Sequence, residues 1–150
     1  MVNFGVIGDM GTGGPNQYKV AKSLKRMINR EKLSFVVGLG DNIYPNGCVS
    51  VDDPLFQTNF EDPYSILPND RWYMCLGNHD YGYEKDNSQT QIDYTNSSYN
   101  HNKKWNLPNK WYTKKFEYCE IFFTLFVLSF LNSSFKNIYI NSIRNNWIRF

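Results

Sequence analysis

Phe35-Val36-Val37-Gly38-Leu39-Gly40-Asp41-Asn42-Ile43-Tyr44-Pro45 is the stretch whose reading decides the fold. It opens as a short apolar run bounded by glycine and reads as a buried parallel strand of an α/β domain. Gly40 lets the backbone turn tightly, which sets Asp41 just past the strand's carboxyl end, where open α/β sheets place their ligands. Tyr44 follows in the same loop, and Pro45 fixes the exit from it. A carboxylate with a phenol beside it is a pair of oxygen donors suited to a hard metal ion.

Two other stretches repeat the pattern. Phe4-Gly5-Val6-Ile7-Gly8-Asp9-Met10-Gly11 is an apolar strand ending in Gly-Asp, and Trp72-Tyr73-Met74-Cys75-Leu76-Gly77-Asn78-His79-Asp80 is another, ending in Gly-Asn-His-Asp. The distances along the chain between the three are close to the roughly 30 residues of one strand-helix-strand unit. As neighbours in a parallel sheet, the three strands would bring Asp9, Asp41 and Asn78 to one rim.

Gly8-Asp9-Met10-Gly11, Gly40-Asp41-Asn42-Ile43-Tyr44 and Gly77-Asn78-His79-Asp80 resemble the first three blocks of the calcineurin-like metallophosphoesterases. Tyr44, closely following Asp41, is similar to the purple acid phosphatases. Phe56-Gln57-Thr58-Asn59-Phe60-Glu61-Asp62 and Lys104-Trp105-Asn106-Leu107-Pro108-Asn109-Lys110-Trp111-Tyr112 resemble their small tartrate-resistant type, so that the likeness covers residues 3 to 118. It implies a layered α/β sandwich of the metallophosphoesterase type, of which residues 1–118 would form the N-terminal half. It also implies an acid phosphatase-like hydrolase of phosphomonoesters with a dinuclear metal centre, Fe(III) beside Fe(II), Zn or Mn. The carboxylate of Asp41 would be shared between the two ions, Asp9 and Tyr44 would complete the protein oxygens around the ferric ion, and Asn78 would ligate the second. Asn78 and His79 would contact the substrate phosphate, His79 would reach the leaving-group oxygen, and Asp80 would orient the His79 ring. Met10 stands where that subfamily commonly has tryptophan, which bears on local packing.

The resemblance also implies a later aspartate, a histidine and a Gly-His-x-His block, and none of these follows in the chain. Its only histidines are His79 and His101. The expectation is therefore weak metal binding and poor turnover by these 150 residues. The rival reading is a catalytically silent scaffold or binding protein of the same family. Against it, Asp9, Asp41, Tyr44, Asn78 and His79 are all present.

A chain of 150 residues is the size of one domain. With 16 basic and 14 acidic residues the net charge is +2, which gives no electrostatic case for nucleic acid or an anionic membrane as a partner. Cys48, Cys75 and Cys119 form no close-spaced zinc pattern, and Cys75, inside a strand-like run, reads as a small apolar filler. No charged and apolar leader precedes the first strand. The compartment stays open: secretory, lysosomal or vacuolar if the true start lies upstream, cytoplasmic if Met1 is the start. Asn96 and Asn132 begin Asn-x-Ser sequons that matter only in a secretory setting.

Gly11-Thr12-Gly13-Gly14-Pro15 is a flexible loop and not a nucleotide cradle, because no Gly-Lys-Ser/Thr follows. Residues 16–30 read as an amphipathic helix with Val20, Ala21, Leu24, Met27 and Ile28 inward. A second helix is expected over Asp53–Asp62, with Asp53 as its cap, Pro54 in its first turn and Phe56 and Phe60 as its buried side. Residues 81–109 read as a long polar loop, and 111–116 as an antiparallel strand. The apolar run Ile121–Leu131 reads as one buried strand. As a helix its eleven residues would reach about 16 Å, short of the roughly 30 Å of a bilayer core, so no transmembrane segment is expected. Residues 119–150 read as a divergent tail, the product of a mis-assembled gene or a retained intron.

Overall fold

The computed structural model of the chain describes residues 3–67, 72–116, 119–124, 127–131, 138–141 and 148–149. The apolar run of the first block forms β1 (Phe4–Ile7), and α1 (Pro15–Glu31) carries the chain back to β2 (Phe35–Gly38). Proline at the start of α1 costs no hydrogen bond, since the first N–H groups of a helix have no partner within it. Ala21, Leu24 and Met27 are buried, whereas Lys22, Lys25 and Arg26 face solvent. The expected second helix begins at Asp53, whose carboxylate accepts from Leu55 N at 2.9 Å. It runs as α2 (Pro54–Phe56) and widens into a π-helical turn over Gln57–Glu61.

The third block gives β3 (Trp72–Met74) and, after Gly77, a single helical turn, α3 (Asn78–Tyr81). Residues 81–109, expected as a loop, instead contain α4 (Ser88–Tyr94) and the edge strand β4 (Trp105–Asn106). Tyr94, Trp105 and Leu107 pin this segment into the core, which is why its polar composition did not leave it free. Trp105 packs edge-on to Phe60 with ring centroids 4.9 Å apart, and its indole N–H donates to Gln91 O at 3.0 Å.

β5 (Tyr112–Phe116) is the expected antiparallel strand. The apolar run after it is not one strand but a hairpin, β6 (Cys119–Thr124) with β7 (Val127–Leu131), paired antiparallel. β8 (Ile138–Asn141) and β9 (Ile148–Arg149) complete the described strands.

The larger sheet has the order β4-β3-β2-β1-β8-β9, parallel throughout except for the β8–β9 pair. Its strands show a period of two. Ile7, Val36, Trp72 and Met74 face α1 and the π-helical turn. Phe4, Val6, Phe35, Val37 and Tyr73 face the antiparallel sheet β5-β6-β7, meeting Ile121 and Phe123. The chain is thus a layered α/β sandwich with two apolar layers, as expected. Cys75 is a buried filler between the sheets, and its burial pushes the thiol up to about 12. Among the described residues, no helix is long and apolar enough to cross a membrane.

Candidate metal and phosphate site

Because β1, β2 and β3 are adjacent and parallel, the three glycine-acid loops leave the same end of the sheet. The loops continue the ladder after the strands have ended. Leu39 N donates to Ile7 O at 2.8 Å, Asp9 N to Gly40 O at 3.2 Å, and Met10 N to Asp41 O at 3.2 Å. Asp9 and Asp41 both hold left-handed backbone, with φ of 52° and 51°. That conformation costs a residue with a side chain of order 1–3 kcal/mol, so the fold carries strain at two equivalent places on one rim.

Glycines bring the third loop in. Gly40 has φ 100°, and a Cβ there would lie 2.5 Å from Gly77 N and 2.7 Å from Gly77 Cα. A Cβ on Gly77 would lie 2.2 Å from Asp41 Oδ1. Only two facing glycines let the Gly-Asn-His-Asp loop close against Asp41.

The side chains then meet. Tyr44 Oη lies 2.8 Å from Asp9 Oδ1 and 3.0 Å from Asp41 Oδ2. The other oxygen of Asp41, Oδ1, accepts the backbone N–H of His79 at 3.0 Å. A phenol owns one proton, so it can donate to only one of the two carboxylates at a time. Three oxygens are therefore gathered around one proton, an arrangement rich in lone pairs and short of positive charge. Burial, then the hydrogen bonds to Asp9 and Asp41, raise the phenol of Tyr44 far above its ordinary value. Absent a cation, the phenol keeps that proton. Asn78, at the first position of α3, is exposed. His101 is exposed elsewhere.

Asp80 does not orient the His79 ring, contrary to expectation. A helical turn rotates successive side chains by about 100°, and Asp80 points into the protein while His79 stays at the rim. Asp80 Oδ1 accepts from Asn42 N (2.8 Å), Ile43 N (3.3 Å) and Gln91 Nε2 (2.8 Å), and Oδ2 accepts from Gly77 N (2.7 Å). This buried carboxylate ties the second and third loops to α4. Burial pushes it up to about 6 against the opposing pull of those four donors. The His79 ring turns the other way, with Nδ1 2.7 Å from Pro45 O.

Three supporting residues had no role in the sequence reading. Asn42, fully buried, donates to Cys75 O at 2.7 Å and to Gln91 Oε1 at 3.2 Å. Asn59 donates to Gly11 O at 2.9 Å, holding the first loop to the π-helical turn. Asn42 stood inside the quoted motif and could have been found there. Gln91 lay in polar sequence that gave no signal.

The donor set fits a hard cation in part. Two carboxylates and a phenol in mutual contact are what such an ion requires. Among the described residues, however, no group of three His, Cys, Asp or Glu side chains converges.

The family model for calcineurin-like phosphoesterases matches residues 2–148. Purple acid phosphatase 4 of Arabidopsis thaliana is 46% identical over 82 residues, covering 53% of this chain and 24% of that protein. Tartrate-resistant acid phosphatase type 5 of Oryctolagus cuniculus is 36% identical over 124 residues, covering 77% of this chain and 36% of that protein. Among solved structures, "GAP50 the anchor in the inner membrane complex of Plasmodium" aligns with a TM-score of 0.62 at 25% identity, over 81% of this chain and 39% of that one. The chain thus spans about a quarter to two fifths of the length of the proteins it matches.

Proposed function

We propose that this chain, which belongs to the calcineurin-like phosphoesterase family, carries the oxygen rim of an acid phosphatase-like site for phosphomonoesters. The observation behind this is the trio Asp9, Asp41 and Tyr44, three oxygens sharing one proton at the carboxyl end of a parallel sheet. Asp9, Asp41 and Tyr44 would hold a ferric ion, and Asp41 with Asn78 would offer oxygens to a second ion, Fe(II), Zn or Mn. A pair of such ions, when bound, neutralises phosphate and lowers the pKa of bound water towards about 7.

The remaining work falls to the chain's own residues. The Asn78 amide suits the oxygens of a phosphate, and the His79 ring, which packs against Tyr44 with centroids 4.5 Å apart, suits those of the phosphate or of its leaving group once Nε2 carries a proton. Asp80 acts behind them, as the buried anchor that fixes the backbone of both loops. Gly40 and Gly77 keep the loops close enough for Asp41 to meet both Tyr44 and His79 N. No nucleic acid enters this reading.

The test is titration of the chain with ferric ion, followed by visible absorption and by phosphomonoester hydrolysis. A tyrosinate charge-transfer band that disappears in Tyr44→Phe is the expected result. No band and no binding would remove the metal from the reading. With only two histidines in the chain, weak binding and slow turnover are expected, and tight binding of two equivalents with rapid turnover would refute that expectation.

A further inference from the structure

Among the described rim residues, His79 is held both by Pro45, at the end of the second loop, and by Tyr83, beyond the three loop motifs. Its Nδ1 is 2.7 Å from Pro45 O and 3.3 Å from Tyr83 Oη. The ring lies between two phenols, tilted against Tyr44 with centroids 4.5 Å apart and edge-on to Tyr83 at 5.7 Å. A backbone carbonyl accepts and never donates, so the nitrogen facing Pro45 O must carry the proton. That leaves Nε2, which bonds to none of the described residues, as the nitrogen open to solvent. Tyr83 is 72% exposed, so packing into the core does not explain its position. The one polar partner described for its hydroxyl is His79.

We propose that Pro45 O and Tyr83 together hold His79 as the Nδ1–H tautomer, with Nε2 presented outward, which makes Tyr83 a positioning residue. The Pro45 carbonyl sets which nitrogen is protonated. The Tyr83 ring and hydroxyl limit how far the imidazole can swing about its χ2, a torsion that is otherwise broad. This takes over the task expected of Asp80, whose carboxylate is fully engaged in the interior. The inference rests on the phosphatase reading only for what Nε2 would meet. The tautomer itself is a property of the metal-free chain.

Long-range proton–nitrogen correlation NMR on the full chain labelled at histidine tests it, without metal and without turnover. The spectrum has two imidazoles, and exposed His101 serves as the internal reference. Above the imidazole titration range, His79 is expected as Nδ1–H by a margin of about tenfold, the bias one good hydrogen bond supplies. Tyr83→Ala should reduce that bias several-fold and remove the ring-current shift of His79. Tyr83→Phe should restore the ring-current shift and only part of the bias. An Nε2–H pattern for His79 like that of His101 would overturn the proposal. So would a Tyr83→Ala spectrum in which His79 is unchanged. If His79 is Nδ1–H and responds to Tyr83 but Nε2 does not shift with inorganic phosphate in the metal-loaded chain, the positioning proposal stands and the phosphatase reading falls.

Discussion

Replacing Gly40 by alanine attacks the one contact on which the whole rim depends. The new methyl would sit 2.5 Å from Gly77 N, 2.7 Å from Gly77 Cα and 2.8 Å from Leu76 C, all of them backbone atoms that no rotamer change can move aside. At φ 100° an L side chain also forces the backbone out of a conformation it rarely adopts. The strain costs about 1–3 kcal/mol and the overpacking about 1–3 more, against a total stability of about 5–15 kcal/mol for a domain. Gly40→Ala should therefore lose about 2–6 kcal/mol in urea unfolding followed by the fluorescence of the buried Trp72 and Trp105. The damage should be directional as well. Pushing Gly77 away lengthens the bond from His79 N to Asp41 Oδ1, now 3.0 Å, so the His79 amide should lose its protection from exchange. Gly14→Ala is the control. Its φ is −87° and the nearest atom to the new methyl is Thr12 Oγ1 at 3.7 Å, so it should cost less than about 1 kcal/mol. A Gly40→Ala protein within 1 kcal/mol of the parent, with the His79 amide still protected, would refute the account of how the loops are held.

Tyr44→Phe removes the single proton shared by Asp9 and Asp41, and should abolish any ferric absorption band while changing stability by no more than about 1–2 kcal/mol, because the site is open to solvent. Asp80→Asn turns an amide towards Gly77 N–H and leaves that buried donor without a partner, at a cost of about 1–3 kcal/mol in urea. The same pair has a pH signature. Asp80 is raised from 3.8 to about 6 in the folded protein, so its contribution is fully present below 3.8 and is lost as pH rises through about 6. On acidification from neutral pH, the parent should gain stability relative to Asp80→Asn, and parallel pH profiles would contradict this. Lys104 is fully buried and donates to Tyr64 O at 2.8 Å, and burial lowers its pKa from 10.5. The unfolded chain then binds more protons than the folded one below 10.5, so stability should climb as pH rises towards that value. Lys104→Met should flatten the climb in urea titrations.

The sheet and its rim were legible because three short apolar runs each ended in glycine followed by a ligand-type residue. Adjacency of β1, β2 and β3 followed once they were read as neighbours, and in the structure Tyr44 Oη lies within hydrogen-bond distance of both Asp9 and Asp41. What was not legible depended on side-chain direction within a single helical turn. Asn78, His79 and Asp80 are consecutive, yet α3 turns the first to solvent, the second towards Pro45 and the third into the interior. Residues 81–109 misled for a different reason. Their asparagines, serines and tyrosines suggested a solvated loop, whereas Asn100, Gln91 and Tyr94 donate to backbone carbonyls and buried carboxylates. The run from Ile121 reads as one strand because no glycine or proline interrupts it, but β6 lies between β5 and β7 and pairs antiparallel with both, so the run supplies two strands of the smaller sheet.

The balance of donors decides what such a rim can hold. Asp9, Asp41, Tyr44 and Asn78 are all oxygen donors, and the one histidine beside them has Nδ1 against Pro45 O, so that ring has only Nε2 to offer. Oxygen-only sets favour hard ions, while zinc and ferrous iron gain most from imidazole. The electrostatics point the same way. Bringing Asp9 and Asp41 together on strained backbone about one phenol is a cost that a trivalent ion offsets more fully than a divalent one, since the attraction scales with charge. A chain with this rim should take up one hard trivalent ion in preference to a pair of divalent ones. Calorimetry that found two zinc ions bound as tightly as one ferric ion would mean that residues beyond Asp9, Asp41, Tyr44 and Asn78 complete the site.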